Sequence, residues 1–219
     1  MNELTRFREA AVTAAAGGAD AREAADTARE LVSELGVRTV VLVEGESDRV
    51  ALDTLAGRQG RSLDAERVPV VPLGGATSIG RFLDLCGPQG LDLGLAGLCD
   101  IGEERHFRRA LERAGVASEL TPEGLESLGF FVCVADLEDE LIRALGTGTV
   151  ERVLQLGGDL RRFRTFQKQP AQRGRPVEDQ LHRFMGTHSG RKALYARLLV
   201  EALGPEQVPR PLDELLAHV

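Results

Sequence analysis

Thr39-Val40-Val41-Leu42-Val43-Glu44-Gly45-Glu46-Ser47-Asp48 decides how this chain is read. A β-branched Thr and four apolar residues, three of them Val, give a short run with strong strand preference. No polar residue alternates between Val40 and Val43, so both faces should be covered, as in a parallel α/β sheet. Gly45 turns the backbone, and Glu46 or Ser47 can cap a helix continuing through Leu52 and Leu55. Glu44 then sits at the carboxyl end of a buried strand, where open α/β sheets place their sites. Asp48, one helical turn on, is close enough to share a cation with it. Helix capping and the helix macrodipole explain the same two acids equally well.

Working outward, Val68–Leu73 is a second strand whose prolines place it at an edge or at strand ends. Leu91 to Cys99 is a third strand, ending in Asp100-Ile101-Gly102-Glu103-Glu104, and Phe130–Ala135 is a fourth, ending in Asp136-Leu137-Glu138. Helices are expected at 46–58, through Phe82–Leu85, at 105–114 and at 141–145. Strands alternating with helices imply an α/β fold of three layers around a mostly parallel four-stranded sheet. Two helices precede it, the second placing Ala24, Ala28, Leu31, Val32 and Leu35 near one face. From about Val150 the pattern is helical: 149–156, 159–166, 177–185, 190–203 and 211–217. The organisation expected is 1–36 for N-terminal helices, 37–148 for the α/β domain and 149–219 for a basic helical extension packed on it.

Charge is unevenly spread along the 219 residues. Residues 1–160 carry 16 Lys/Arg against 28 Asp/Glu, while residues 161–197 carry 10 against Glu178 and Asp179. A basic block beside an acidic body suits an anionic partner, nucleic acid first. Arg161, Arg162, Arg164, Lys168, Arg173, Arg175 and Arg191 are its candidate phosphate contacts, with His182 and His188 in the same block. The alternative is that these arginines pair with the acidic body. Phe163 and Phe166 share a helix face, as core anchors or as stacking platforms. Cys86, Cys99 and Cys133 lie in or beside apolar runs with no metal-site spacing, which suits buried thiols in a reducing cytosol. No apolar run nears the ~18 residues of a membrane span. A cytoplasmic location is expected. The Gly74-Gly75 loop lacks dinucleotide-fingerprint spacing and can be either a tight turn or a phosphate contact.

Three of the four strands end in carboxylates, and in a parallel sheet those ends share one edge. Gathered carboxylates repel unless a cation joins them, and Mg²⁺ or Mn²⁺ favours such hard oxygen donors. Glu44-Gly45-x-x-Asp48, Asp100 and Asp136-Leu137-Glu138, each after an apolar strand, resemble the TOPRIM (topoisomerase-primase) domain, in the form found in OLD-family (overcoming lysogenization defect) nucleases. The resemblance covers about residues 38–145. It implies a metal-dependent nuclease acting on nucleic acid, DNA before RNA, with Mg²⁺ or Mn²⁺ held by Glu44, Asp48, Asp100 and Glu138. Glu44 would also do general acid/base work. It further implies a downstream lysine that stabilises phosphate charge, matched by Lys192 in Ser189-Gly190-Arg191-Lys192; the chain has one other lysine, Lys168.

The second Asp of the family's DxD motif is Gly102 here. Glu103 or Glu104 are the candidates to supply the missing ligand, and Asp136 is a further candidate metal residue. OLD proteins usually fuse this domain to an ATPase. No GxxxxGK[ST] occurs in this chain, so a stand-alone domain with a separate ATPase partner is expected; the resemblance also implies a homodimer. A non-catalytic TOPRIM module binding nucleic acid or that ATPase is the alternative. A phosphotransfer receiver using Asp100 would need a lysine soon after the fourth strand, and none precedes Lys168.

Overall fold

The computed structural model describes residues 2–187 and 190–219. His188 of the basic block lies outside the described residues. Helices α1 (Glu3–Ala16) and α2 (Ala21–Leu35) precede β1 (Thr39–Val43), which leads through Glu44-Gly45 into α3 (Glu46–Arg58). Then come β2 (Val70–Pro72), a 3-10 turn at Ala76–Ser78, α4 (Ile79–Cys86), β3 (Gly94–Asp100) and α5 (Glu104–Arg113). After α6 (Pro122–Ser127), β4 (Phe130–Cys133) completes the sheet and α7 (Leu137–Leu145) leaves it. The remainder is helical: α8 (Thr147–Leu156), α9 (Leu160–Gln167), α10 (Val177–Met185), α11 (Arg191–Ala202) and α12 (Arg210–His218).

The four strands pair in parallel in the order β2-β1-β3-β4. β2 is therefore an edge strand, as its prolines require. Successive residues of β1 go to opposite sides, as strand geometry demands. Val41 and Val43 join one apolar core with Val70, Ala96, Leu98 and Phe131, and helices α3, α7, α8 and α10–α12 cover it. Val40 and Leu42 join the other with Val71, Cys99 and Phe130, under α1, α2, α4 and α5. The unbroken Val-rich run thus marks a sheet covered on both faces.

Guanidinium groups from the α3 region reach the ends of the C-terminal helices. Arg58 donates to the carbonyls of Val200 and Leu203, the latter at 2.6 Å, and Arg61 to those of Leu216 and Val219, the latter at 2.7 Å. Each adds donors to carbonyls at a helix C-terminus and places a cation at the negative end of its dipole. Residues 150–216 therefore share the sheet's core instead of packing only among themselves.

Three local expectations shift. The third strand starts at Gly94, because Leu91 and Leu93 donate their N–H groups to Leu85 (2.7 Å) and Cys86 (2.9 Å) and close the end of α4. Asp92 takes a left-handed backbone there, φ 52°. The fourth strand stops at Cys133, because the Glu140 carboxylate, at 2.8 Å, accepts the N–H of Val134. Helix α6 is additional to the expected elements, although Thr121-Pro122 is a good start signal: the Thr121 hydroxyl accepts from Gly124 N–H at 3.1 Å, and proline occupies the first turn. No helix among the described residues is long and apolar enough to cross a membrane. All three cysteines are buried and free, and burial raises each thiol's pKa.

Candidate metal centre

Because β1 has β2 on one side and β3 on the other, the chain reverses its winding at the carboxyl ends of β1 and β3. Open α/β sheets leave a crevice at such a point. Here it is a cavity of about 630 Å³ whose lining includes Glu44, Asp48, Gly74, Gly75, Asp100, Asp136, Glu138 and Lys192. Groups as far apart in the sequence as Glu44 and Lys192 meet there, because the strand ends share one edge and α11 packs on α3 and α7.

Three of the acids, Asp48, Asp136 and Glu138, are held by contacts of their own. Asp48 reaches back from the first turn of α3, its Oδ2 accepting the N–H of Gly45 at 2.8 Å. Asp136 caps α7, its Oδ1 accepting the N–H of Asp139 at 2.9 Å. The capping explanation therefore holds for both, and it does not compete with a second role, since each carboxylate still lines the cavity. Glu138, in the first turn of α7, is 3% exposed. One of its oxygens lies 3.3 Å from Lys192 Nζ. The other is buried with no partner among the described residues.

Lys192 comes from the first turn of α11 and, among the described residues, is the one basic side chain in the cavity lining. His182, in the last turn of α10, puts Nε2 2.6 Å from Asp136 Oδ2. Nothing in the sequence ties His182 to an acid 46 residues away; its context groups it with the arginines around it.

The electrostatics are those of a site short of positive charge. Burial, then the neighbouring Glu44, Asp136 and Asp48, pushes the Asp100 carboxyl up to about 8. Burial, with Glu138 and Glu44 adding to it, pushes Asp48 up to about 7 against the opposing Gly45 hydrogen bond. The His182 hydrogen bond holds Asp136 below its ordinary range against its burial, and the same bond raises His182. Clustered, partly dehydrated carboxylates and an orphaned buried carboxylate oxygen are what a divalent cation with oxygen ligands relieves. The residues present therefore fit Mg²⁺ or Mn²⁺.

This raises a pH expectation for the metal-free protein. Asp48 and Asp100 bind protons more tightly folded than unfolded, so their contribution to stability is full below about pH 4 and lost as pH rises through 7 to 8. His182, raised by Asp136, adds in the same direction above its ordinary value of 6.5. Melting temperature in EDTA should fall between pH 5.5 and 8.5, and Asp100→Asn should flatten that slope and raise stability at pH 8.5. Thermal melts of both proteins across that range check it; a slope unchanged by the substitution refutes the crowding.

Of the other candidate ligands, Glu103 and Glu104 are not among the cavity's lining residues. Glu104 forms an ion pair with Arg108 at 2.6 Å. Gly102 is exposed, with no neighbouring atom where a side chain would begin. Gly74 and Gly75 make a tight turn, both at positive φ, and the Gly75 N–H donates to the Glu44 carbonyl at 3.2 Å.

The basic block lies beside this centre. Arg161, Arg162 and Arg191 line a second cavity of about 720 Å³ with Phe166, Gln169 and Phe184. Asp159, buried at the start of α9, receives Arg162 at 2.8 Å, the Tyr195 hydroxyl at 3.0 Å and Arg191 at 3.5 Å. Arg164 pairs with Glu151 at 2.7 Å. Arg173 and Arg175 donate to the carbonyls of Lys168 (3.4 Å) and Ala171 (2.8 Å), and both side chains remain exposed. Phe163 is a core residue, edge-on to Phe184 at 5.3 Å, whereas Phe166 is half-buried at the cavity wall.

Residues 37–101 match the profile of the "Overcoming lysogenization defect protein-like, TOPRIM domain". A comparison with curated proteins gives no match. Among solved structures, the C-terminal region of the Xanthomonas campestris pv. campestris OLD protein is similar with a TM-score of 0.66 at 24% identity, covering 85% of this chain and 93% of that one. A second structure of that region gives 0.62 at 25% identity, covering 83% and 93%. The C-terminal region of the Burkholderia pseudomallei OLD protein gives 0.64 at 20% identity, covering 83% and 96%. The chain therefore carries an OLD-like TOPRIM domain at residues 37–101, in a fold similar to the C-terminal region of OLD proteins.

Proposed function

We propose that the protein is a metal-dependent nuclease that hydrolyses phosphodiester bonds, with DNA as its substrate. One observation carries this reading: carboxylates from β1, α3, β3 and α7 converge with Lys192 in one cleft at the sheet's switch point. Glu44, Asp48, Asp100 and Glu138 would hold Mg²⁺ or Mn²⁺. Such an ion supplies a Lewis acid at the scissile phosphate and lowers the pKa of a water.

The chain's own groups supply the rest. Glu44 lines the cavity from the end of a buried strand, and it would take a proton from the attacking water. Lys192 offers the positive charge that balances the phosphate as it becomes more negative. The exposed cations of 161–175 would give the adjoining surface an attraction for a phosphate backbone, largely independent of sequence.

Supercoiled plasmid and single-stranded oligonucleotides incubated with Mg²⁺ or Mn²⁺ test the reading. Nicking that EDTA abolishes is expected; no cleavage of any DNA or RNA with either ion overturns it. Gly102 favours the second reading, a TOPRIM module that binds nucleic acid or a partner ATPase without cutting, because the motif's second carboxylate is missing. Saturable Mn²⁺ binding without cleavage is the outcome that selects it.

A further inference from the structure

The loss of a ligand at Gly102 leaves the acidic edge one oxygen donor short, and the neighbouring Glu103 and Glu104 are not in the cavity lining. Two acids of the lining, Asp136 and Glu138, instead gather a third donor from beside the cleft, His182 of α10. One ligand atom each from Asp136, Glu138 and His182 lies within 4.8 Å of the other two. We propose that Asp136, Glu138 and His182 form a cation seat whose imidazole makes it selective for a transition ion such as Mn²⁺ over Mg²⁺. This rests on the metal-dependent reading above and adds to it the identity of the ion.

Two independent features support the seat. Glu138 is 3% exposed and divides its oxygens: one faces Lys192 at 3.3 Å, and the other is buried with no partner among the described residues. A buried, unpaired carboxylate oxygen costs free energy unless something binds it, and the same carboxylate belongs to the cluster with Asp136 and His182. The second feature is the Asp136–His182 spacing of 2.6 Å. Ligands at right angles on an ion with bonds of about 2.1 Å stand about 3 Å apart, so a small opening of that contact accommodates one.

The chemistry of the donors sets the selectivity. Mg²⁺ takes oxygen ligands and holds its waters, whereas imidazole is a transition-metal ligand, and Mn²⁺ is the transition ion that shares Mg²⁺'s affinity for carboxylates. His182 is delivered by α10, an element outside the strand-ending motifs, and its side chain is 40% exposed. It can therefore be replaced without opening the core.

Pulsed EPR of the Mn²⁺-saturated protein, paired with calorimetry, tests this directly. Nitrogen hyperfine coupling to Mn²⁺ is expected, and His182→Gln should remove it. The same substitution should weaken the affected Mn²⁺ seat about tenfold or more while changing Mg²⁺ affinity less than about twofold. Saturable Mn²⁺ binding with no nitrogen coupling, or coupling that survives His182→Gln, overturns the seat and leaves the nuclease reading standing. Equal weakening of both ions also overturns it, since His182 would then act only by positioning Asp136. No saturable binding of either ion overturns both.

Discussion

Glu44→Ala is expected to lower divalent-dependent cleavage about 10³-fold or more, while the metal-free protein melts no lower than the parent. The two halves of that expectation come from the same geometry. Glu44 stands immediately after β1, half-buried, lining the cleft with Asp48 and Asp100. Its backbone carbonyl accepts from Gly75, and that bond does not depend on the side chain. Removing the carboxylate therefore leaves the turn intact and takes away one of the charges that crowd Asp100. Calorimetry should show weaker Mg²⁺ and Mn²⁺ binding alongside the lost activity. Loss of activity with an early melt and unchanged metal affinity would instead mean that Glu44 was structural.

The sheet is legible in the sequence because its signal is local. Val40–Val43 has no polar interruption, and a strand covered on both faces has only one common setting, a parallel sheet between helices. Pro69 and Pro72 announce an edge. Where boundaries move, a partner distant from the strand pattern decides them. The Glu140 carboxylate takes the Val134 N–H that would have extended β4, and hydrogen bonds closing α4 take Leu91 and Leu93 out of β3.

The gathering of acids in the cleft is legible for the same reason. Acids at strand ends must share an edge once the strands are parallel, so Glu44, Asp100 and Asp136 come together from sequence alone. His182 does not, because helices α7 to α9 intervene in the chain between β4 and its own helix, and their packing angles are not written in a residue period. Its position among arginines even points elsewhere. Asp48 and Asp136 show why the capping explanation and the metal explanation look like rivals in the sequence. A helix that starts at a strand's carboxyl end presents unpaired N–H groups for polar side chains to cap where open α/β sheets place their sites. One carboxylate can serve both with its two oxygens, as Asp136 does toward Asp139 and His182.

Lys192→Ala should lower turnover about 10²- to 10³-fold, the usual cost of removing one charge that balances a developing oxyanion. The test lies in what else changes. Lys192 Nζ sits 3.3 Å from Glu138 in the same cleft that would take a divalent ion, so its charge competes with that ion. Its removal should leave Mn²⁺ affinity unchanged or tighter, opposite in sign to Glu44→Ala. It also strips the ion-pair partner from a carboxylate that is 4% exposed at its side chain, so the metal-free variant should melt earlier and regain stability with saturating Mn²⁺. Lys192→Arg keeps the charge but spreads it over a wider, planar group, so it should restore stability more fully than turnover. A lysine that is merely solvated predicts none of these shifts. Weakened Mn²⁺ binding in Lys192→Ala would show that the lysine organises the ligands instead of facing the phosphate.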